Sequence, residues 1–429
     1  MLRGYRISAL WQLYLELALP IICVGGATLI PYTLRFPLIC LTGILFFLVA
    51  VLDRKIVYFH MPNAAMMLLL AYIAVQVLYS YDRSTTLRMF IIYACTSSLL
   101  FLDVGEDCMH RIVRNVQVIC VIIACSIILS SLIDNCMLKY FSWIVNPGGS
   151  PSVAGAIHKE LAAGSYSGFA REKGEAAQIM NIGIAIGYSR YFAEGHLRRR
   201  DALSLALCMI ALMLTSKRMM FFIAFFNFVG LLLISKLHGK LFKLAGIGMI
   251  ALLVLAIIFM FVPSLGNVLY RFLDPENLES MGRRNALWKY LDMMLSEYWL
   301  FGAGFGSYNA FAYNHGLRVY KSRWSYHGHN SYYQGVCELG VVGSIPYVLF
   351  LISSLFTSIR FIRQEVYPKD ARRLLYFACY IQMMYIVYAL TGNPAYTGQY
   401  IVQLFFSVGM AACLGRKYMV PAAERLSEE

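Results

Sequence analysis

Apolar residues fall along this chain in long runs broken by short polar stretches, a pattern with neither the strict alternation of half-buried strands nor the one-faced stripe of soluble helices. A helix crossing a bilayer needs about 20 mostly apolar residues. Runs near 9–30, 36–52, 64–80, 87–102, 113–133 and 176–193 predict six such helices. Six more are predicted near 202–215, 219–235, 244–262, 337–358, 374–391 and 400–415. The pattern thus predicts an all-α, polytopic membrane protein of about twelve spans, with residues 1–429 forming a single transmembrane domain. Two segments break the rhythm. One, 134–175, runs through the turn-rich Asn146-Pro147-Gly148-Gly149-Ser150-Pro151 and the charged Arg171-Glu172-Lys173-Gly174-Glu175. The other, 263–336, is a large polar loop inserted between spans nine and ten. Within it, Leu287, Tyr290, Leu291 and Met294 are spaced as on a helix over Met281 to Glu297. The glycines of Gly302-Ala303-Gly304-Phe305-Gly306 then predict a flexible helix exit.

Composition agrees with a bilayer. Of 429 residues, 59% are hydrophobic and 14% charged, with mean hydropathy +0.62, too few charges for a soluble surface. The net charge of +14 raises a nucleic-acid partner as a question. Its distribution answers it in the negative. With the N-terminus inside, the inner segments hold 21 Lys and Arg, the short outer loops five and the two long outer segments eleven. That bias predicts both termini in the cytoplasm and 134–175 and 263–336 outside, and the inner charge suits anionic lipid. The first span follows Arg3 and Arg6, lacks a small-residue cleavage site and is expected to stay as an anchor. Cys23, Cys40, Cys95, Cys120, Cys125, Cys208, Cys379 and Cys413 lie in apolar runs without metal-ligand spacing and read as buried small apolar residues.

Chemistry-bearing residues collect on the predicted outer face. Lys217 and Arg218 sit in a tight turn between two spans, where basic residues oppose the topology bias. They read either as snorkelling side chains or as a cationic pocket for an anionic ligand. Arg283 and Arg284 open the loop helix, where guanidinium forks and helix-terminal amides both favour phosphate oxygens. The stretch Tyr326-His327-Gly328-His329-Asn330 leads into the tenth span. On a continuous helix His329 and Gly340 differ by only about 20° in azimuth, with Gly343 on the same side. The imidazole would then stand above a glycine face that admits another span. No D-x-D pair, H-E-x-x-H or His–carboxylate cluster suggests a divalent metal, and no P-loop or nucleophile elbow is present, so neither metal nor cofactor is expected. Within the membrane, Glu16 is the clearest charge, with a partner the sequence does not name.

These residues resemble the O-antigen ligase and O-antigen polymerase family. The motif is His-Asn, nine residues, then Gly-x-x-Gly, here His329-Asn330 to Gly340-Val341-Val342-Gly343. Arg-x-x-x-Leu matches Arg283 to Leu287. An Arg at the outer end of consecutive spans matches Arg218, although Lys217 departs from the commoner Ser-Arg-Gly form. The resemblance implies a GT-C-like membrane glycosyltransferase of the bacterial inner (cytoplasmic) membrane, with its site facing the periplasm. It implies an undecaprenyl-diphosphate-linked glycan as donor and a glycolipid or a second lipid-linked glycan as acceptor. It further implies His329 as general base, with Arg218 and Arg283 meeting leaving-group charge in place of a metal. Lys217, Arg284, Asn330, His327, Lys173 and Arg171 are supporting candidates for substrate binding. Ligase and polymerase both fit, and the choice of His329 over His327 rests on the motif. The alternative class is a transporter or flippase for lipid-linked glycan, which twelve spans would also suit.

Overall fold

The computed structural model describes residues 2–25, 32–52, 60–146, 148–170, 172–235, 279–317 and 327–428. All regular structure among them is helical. Helices α1 (Leu2–Pro20, continued by a π turn Ile21–Gly25), α2 (Tyr32–Leu52), α3 (Met61–Tyr79), α4 (Arg83–Ser97) and α5 (Glu106–Leu132) form the first half. Short helices α6 (Cys136–Tyr140), α7 (Ser142–Val145) and α8 (Pro151–Ala162) occupy the first long polar segment. Next come α9 (Lys173–Glu194), α10 (Arg199–Leu214) and α11 (Arg218–Ile234). The chain then continues through α12 (Glu279–Tyr298), α13 (Tyr308–Asn314), α14 (Ser331–Arg363), α15 (Lys369–Tyr388) and α16 (Gly398–Glu428).

Helices fall on eleven of the twelve predicted intervals, and the remaining one, 244–262, lies outside the described residues. Among the described residues, five helical stretches are long and apolar enough to cross a membrane: Met61–Tyr79, Arg83–Phe101, Glu106–Leu132, Ser331–Arg363 and Gly398–Met419. Ala9–Val24, Phe36–Val51 and Arg218–Ile234 are shorter apolar helices. The protein is therefore a polytopic helical membrane protein. Helix α9 is more polar because protein, not lipid, surrounds it: Gln178, Asn181 and Ser189 are all buried. It packs against α5, α10, α11 and α15. A Cβ at Gly183 would lie 2.5 Å from the Cys208 sulfur, and one at Gly187 2.9 Å from Leu205, so both glycines let α10 approach closely.

The bundle has two chemically different ends. At one, helix termini carry ion pairs: Glu106 at the start of α5 with Lys417 of α16 (2.6 Å), Arg373 of α15 with Glu194 of α9 (2.8 Å), and Arg190 with Asp201. Arg190, Arg373 and Lys417, three of the basic residues expected on the inner side, thus pair with carboxylates. Glu16 finds its partner nearby in Arg111, whose Nε and Nη2 lie 2.9 and 2.8 Å from Oε1. Ninety-five residues separate that pair in sequence, so local pattern could not have named it. All eleven cysteines are free; Cys125 is exposed, not buried, and Cys40 and Cys95 are only half-buried.

Candidate active site

The opposite end holds the starts of α9, α11, α14 and α16. Helix α14 begins at Ser331, six residues before its apolar run. The Asn330 side-chain oxygen accepts from the Tyr332 and Tyr333 amides (3.1 and 3.0 Å) and starts the helix there. That oxygen is therefore engaged by the cap. Helix α14 is not continuous: Gly340 has φ 68° and ψ 178°, and the helix kinks. The azimuth expected between His329 and Gly340 on a regular helix does not apply. The kink exists because another backbone crosses it. Gly304 N–H donates to the Glu338 carbonyl (2.9 Å), Val341 N–H to Trp299 (3.0 Å) and Val342 N–H to Leu300 (3.2 Å). The segment Gly302–Gly306, predicted as a flexible exit, is instead a fixed crossing. A Cβ on Gly302 would sit 2.2 Å from the Glu338 carbonyl oxygen, and φ there is +70°. Gly343 does admit another span: a Cβ there would strike the Tyr72 ring of α3 at 2.2 Å.

Beneath this crossing lies a buried carboxylate that the sequence reading missed. Glu338 Oε2 accepts from the Gly306 amide (2.7 Å), and Oε1 accepts from the Tyr308 amide (2.9 Å) and Gln334 Nε2 (3.0 Å). A carboxylate in the apolar run of the tenth span was a legible signal by the rule applied to Glu16. Its partners, 30 and 32 residues away, were not.

The His327–Asn330 loop rests on two supports. From α12, Trp288 Nε1–H donates to the Gly328 carbonyl (2.7 Å). From the turn joining α15 to α16, the Ala389 and Gly392 carbonyls accept from the Ser331 amide (2.8 and 3.1 Å), and Gly392 also accepts its hydroxyl. The His327 ring stacks on Tyr396 of that turn at 5.6 Å, and its Nδ1 is buried with no hydrogen-bond partner. Burial, with His329 beside it, pushes the His327 imidazole down to about 4. His329 itself is exposed and left-handed at φ 52°, its Nδ1 3.4 Å from Asn393 Nδ2. The two histidines are therefore different in kind: His327 is half-buried with its Nδ1 sealed from solvent, and His329 is exposed.

Lys217, at the start of α11, reaches the first turn of α9, which Lys173 opens. Lys217 Nζ lies 3.5 Å from the position of a Cβ on Gly174, and so does a Glu172 carboxylate oxygen. The tight turn forms because Ser216 takes φ 56° and its hydroxyl donates to the Gly164 carbonyl (3.0 Å). Glu160 of α8 accepts from the Lys173 amide; burial raises its carboxyl, opposed by Lys173. Arg218 is half-buried as the first residue of α11. Tyr388, whose ring packs on Gly392, stacks on Tyr400 of α16 at 5.2 Å. Arg283 and Arg284 are on α12, within two turns of Trp288, but their side chains lie outside the described residues, as does Arg171. No cluster of three or more His, Cys, Asp or Glu suited to a metal occurs among the described residues.

No curated protein matches the chain. Residues 203–348 match the family model described as O-Antigen ligase, a stretch that takes in Arg218, Arg283, His329, Gly340 and Gly343. Such a family implies membrane embedding, lipid-linked glycan substrates and, in general terms, glycosyl transfer. Through that region the chain is similar to the O-antigen ligase family, and the match supports a membrane enzyme of O-antigen assembly.

Proposed function

We propose that the protein transfers a glycan from an undecaprenyl-diphosphate carrier to an acceptor hydroxyl on the extracytoplasmic face, without a metal and with inversion at the anomeric carbon. Both termini are then cytoplasmic. The observation that carries this reading is the exposed, left-handed His329, tied down through Ser331 at the bundle end that also holds Lys217 and Lys173. An imidazole titrates near neutral pH and suits a general base. As His329 takes the acceptor proton, the new carbon–oxygen bond forms and the glycosyl–oxygen bond to the diphosphate breaks. The electron pair goes to the diphosphate, where Arg218 and Arg283 meet the growing charge. Lys217, Lys173, Arg284 and Arg171 would hold the rest of the diphosphate and its first sugars. The acceptor is a lipid A–core glycolipid if the enzyme is a ligase and a second lipid-linked glycan if it is a polymerase.

The test is turnover of lipid-linked glycan by purified protein in detergent. His329→Ala should lower turnover by about 10²–10⁴-fold, the range of general-base catalysis, with an unchanged melting temperature. Near-normal turnover would remove His329 as the base. In cells lacking the protein, long chains stranded on the lipid carrier would identify a ligase, and single repeat units a polymerase.

A further inference from the structure

Helix α12 ends at Tyr298, and there the exposed side chains change in kind. From Lys289 onward its exposed residues are all polar: Lys289, Asp292, Ser296 and Glu297. Just beyond, Trp299 and Phe301 are each 56% exposed, after which the chain turns inward and Gly302 to Tyr308 are buried. Two exposed aromatic rings are ordinary by themselves. The backbone beneath them is not. The Phe301 carbonyl accepts from Gln76 Nε2 (2.9 Å) and Tyr79 OH (3.1 Å), and shares the Tyr72 hydroxyl proton (2.8 Å) with the Leu339 carbonyl (2.9 Å). The Trp299 and Leu300 carbonyls accept from the Val341 and Val342 amides, and that of Tyr298 from the Gly302 amide. Water satisfies an exposed carbonyl without help from the protein. A strip in which every carbonyl from Tyr298 to Phe301 meets a protein donor, while its side chains point outward, is built for surroundings that supply no donors.

Its depth agrees. Helix α3 has 19 residues, about 28 Å at 1.5 Å per residue, close to the roughly 30 Å hydrocarbon thickness. The donors to Phe301 come from the last two turns of α3, and Tyr72 lies about 10 Å short of its end. Trp299–Phe301 is therefore level with the span and does not stand above it. Its partners on α14, Val341 and Val342, are likewise inside an apolar run. The outward surface on both sides is continuous and apolar: Leu68, Val75 and Leu78 of α3 and Val341, Ile345 and Ile352 of α14 are all exposed, as the lipid-facing stripes of two spans should be.

We propose that Trp299–Phe301 is a re-entrant strip of the large polar loop, with the Trp299 and Phe301 rings seated among the acyl chains just beneath the headgroups at the site end of the bundle. The partner of this surface is the lipid of that leaflet. Aromatic rings suit that boundary, and the polar residues Ser296 and Glu297 mark where water begins. The strip ties the end of α12 to the membrane, and with it Trp288, which supports the histidine loop. This inference needs no assumption about His329 or glycosyl transfer, and its failure would leave that reading intact.

The test uses the full chain in nanodiscs of phosphatidylcholine with plain or brominated acyl chains. Bromine quenches only the indole rings it touches. The chain has five tryptophans, and the difference between wild type and Trp299→Phe isolates the emission of Trp299. That emission should lie at short wavelength, lose most of its intensity in the brominated bilayer and be untouched by aqueous iodide. Quenching by iodide and not by bromine would place the strip in water. Protection from both would mean that protein covers it, a second copy of the chain for example. Either result would overturn the inference. Phe301→Asp supplies a second measurement: a charge among acyl chains should lower the melting temperature in nanodiscs, whereas Ser296→Asp on the polar face of α12 should leave it unchanged. An unchanged melting temperature for Phe301→Asp would also overturn the inference. Should that variant fail to fold, the quenching of Trp299 decides.

Discussion

Replacing Gly340 by alanine tests whether the kink in α14 is a built feature. At φ 68° and ψ 178° the backbone lies where essentially only glycine is at ease. A methyl group would stand 2.4 Å from the Gly302 nitrogen and 2.4 Å from the Leu300 carbonyl oxygen. Neither atom belongs to a side chain that can swing away, so the two backbones must part. The conformational strain is worth about 1–3 kcal/mol. Parting the strands weakens the bonds from Gly304, Val341 and Val342 to Glu338, Trp299 and Leu300, each worth about 1 kcal/mol. Gly340→Ala should therefore cost roughly 3–5 kcal/mol in total, a large share of the stability of a typical domain. Unfolding in mixed micelles measures the loss directly, with Gly335→Ala as control: that glycine lies in the same helix with nothing within 4 Å of an added Cβ. The control should be neutral or gain up to about 1 kcal/mol from helix propensity. Equal stability of Gly340→Ala and wild type, or a larger loss in the control, would refute the crossing as the cause of the kink.

Two further outcomes are expected. Glu338→Gln turns an amide NH₂ toward N–H donors that now point at a carboxylate oxygen, so thermal unfolding should show a loss of about 1–3 kcal/mol; an unchanged melting temperature would mean the carboxylate does not hold the Gly302–Gly306 crossing. Burial of His327 pushes its imidazole down to about 4 from about 6.5, so between these values the unfolded chain binds more protons than the folded one. Its contribution is complete above about pH 6.5 and lost as pH falls toward 4; His327→Phe should flatten that part of the melting-temperature profile, and an unchanged slope would contradict the desolvation of this imidazole.

Local pattern accounts for much of this protein. Runs of apolar residues placed the helices, because a bilayer imposes one length on any segment that crosses it. Gly343 marked a place where α14 admits another span, since a missing side chain is a property of a single position; the helix start at the Asn330 cap was not read. What the pattern could not supply was contact between distant segments. The kink at Gly340 depends on a backbone crossing forty residues earlier in the chain, and a helical repeat read forward from His329 has no knowledge of it. Glu338 was visible as a charge in an apolar run, but only folding brought it the amides of Gly306 and Tyr308 that make its burial tolerable. Asn393 had no distinguishing spacing at all. It meets His329 because the bundle returns the turn between α15 and α16 to that residue, and contacts a few ångströms long are decided by that return, not by separation along the chain.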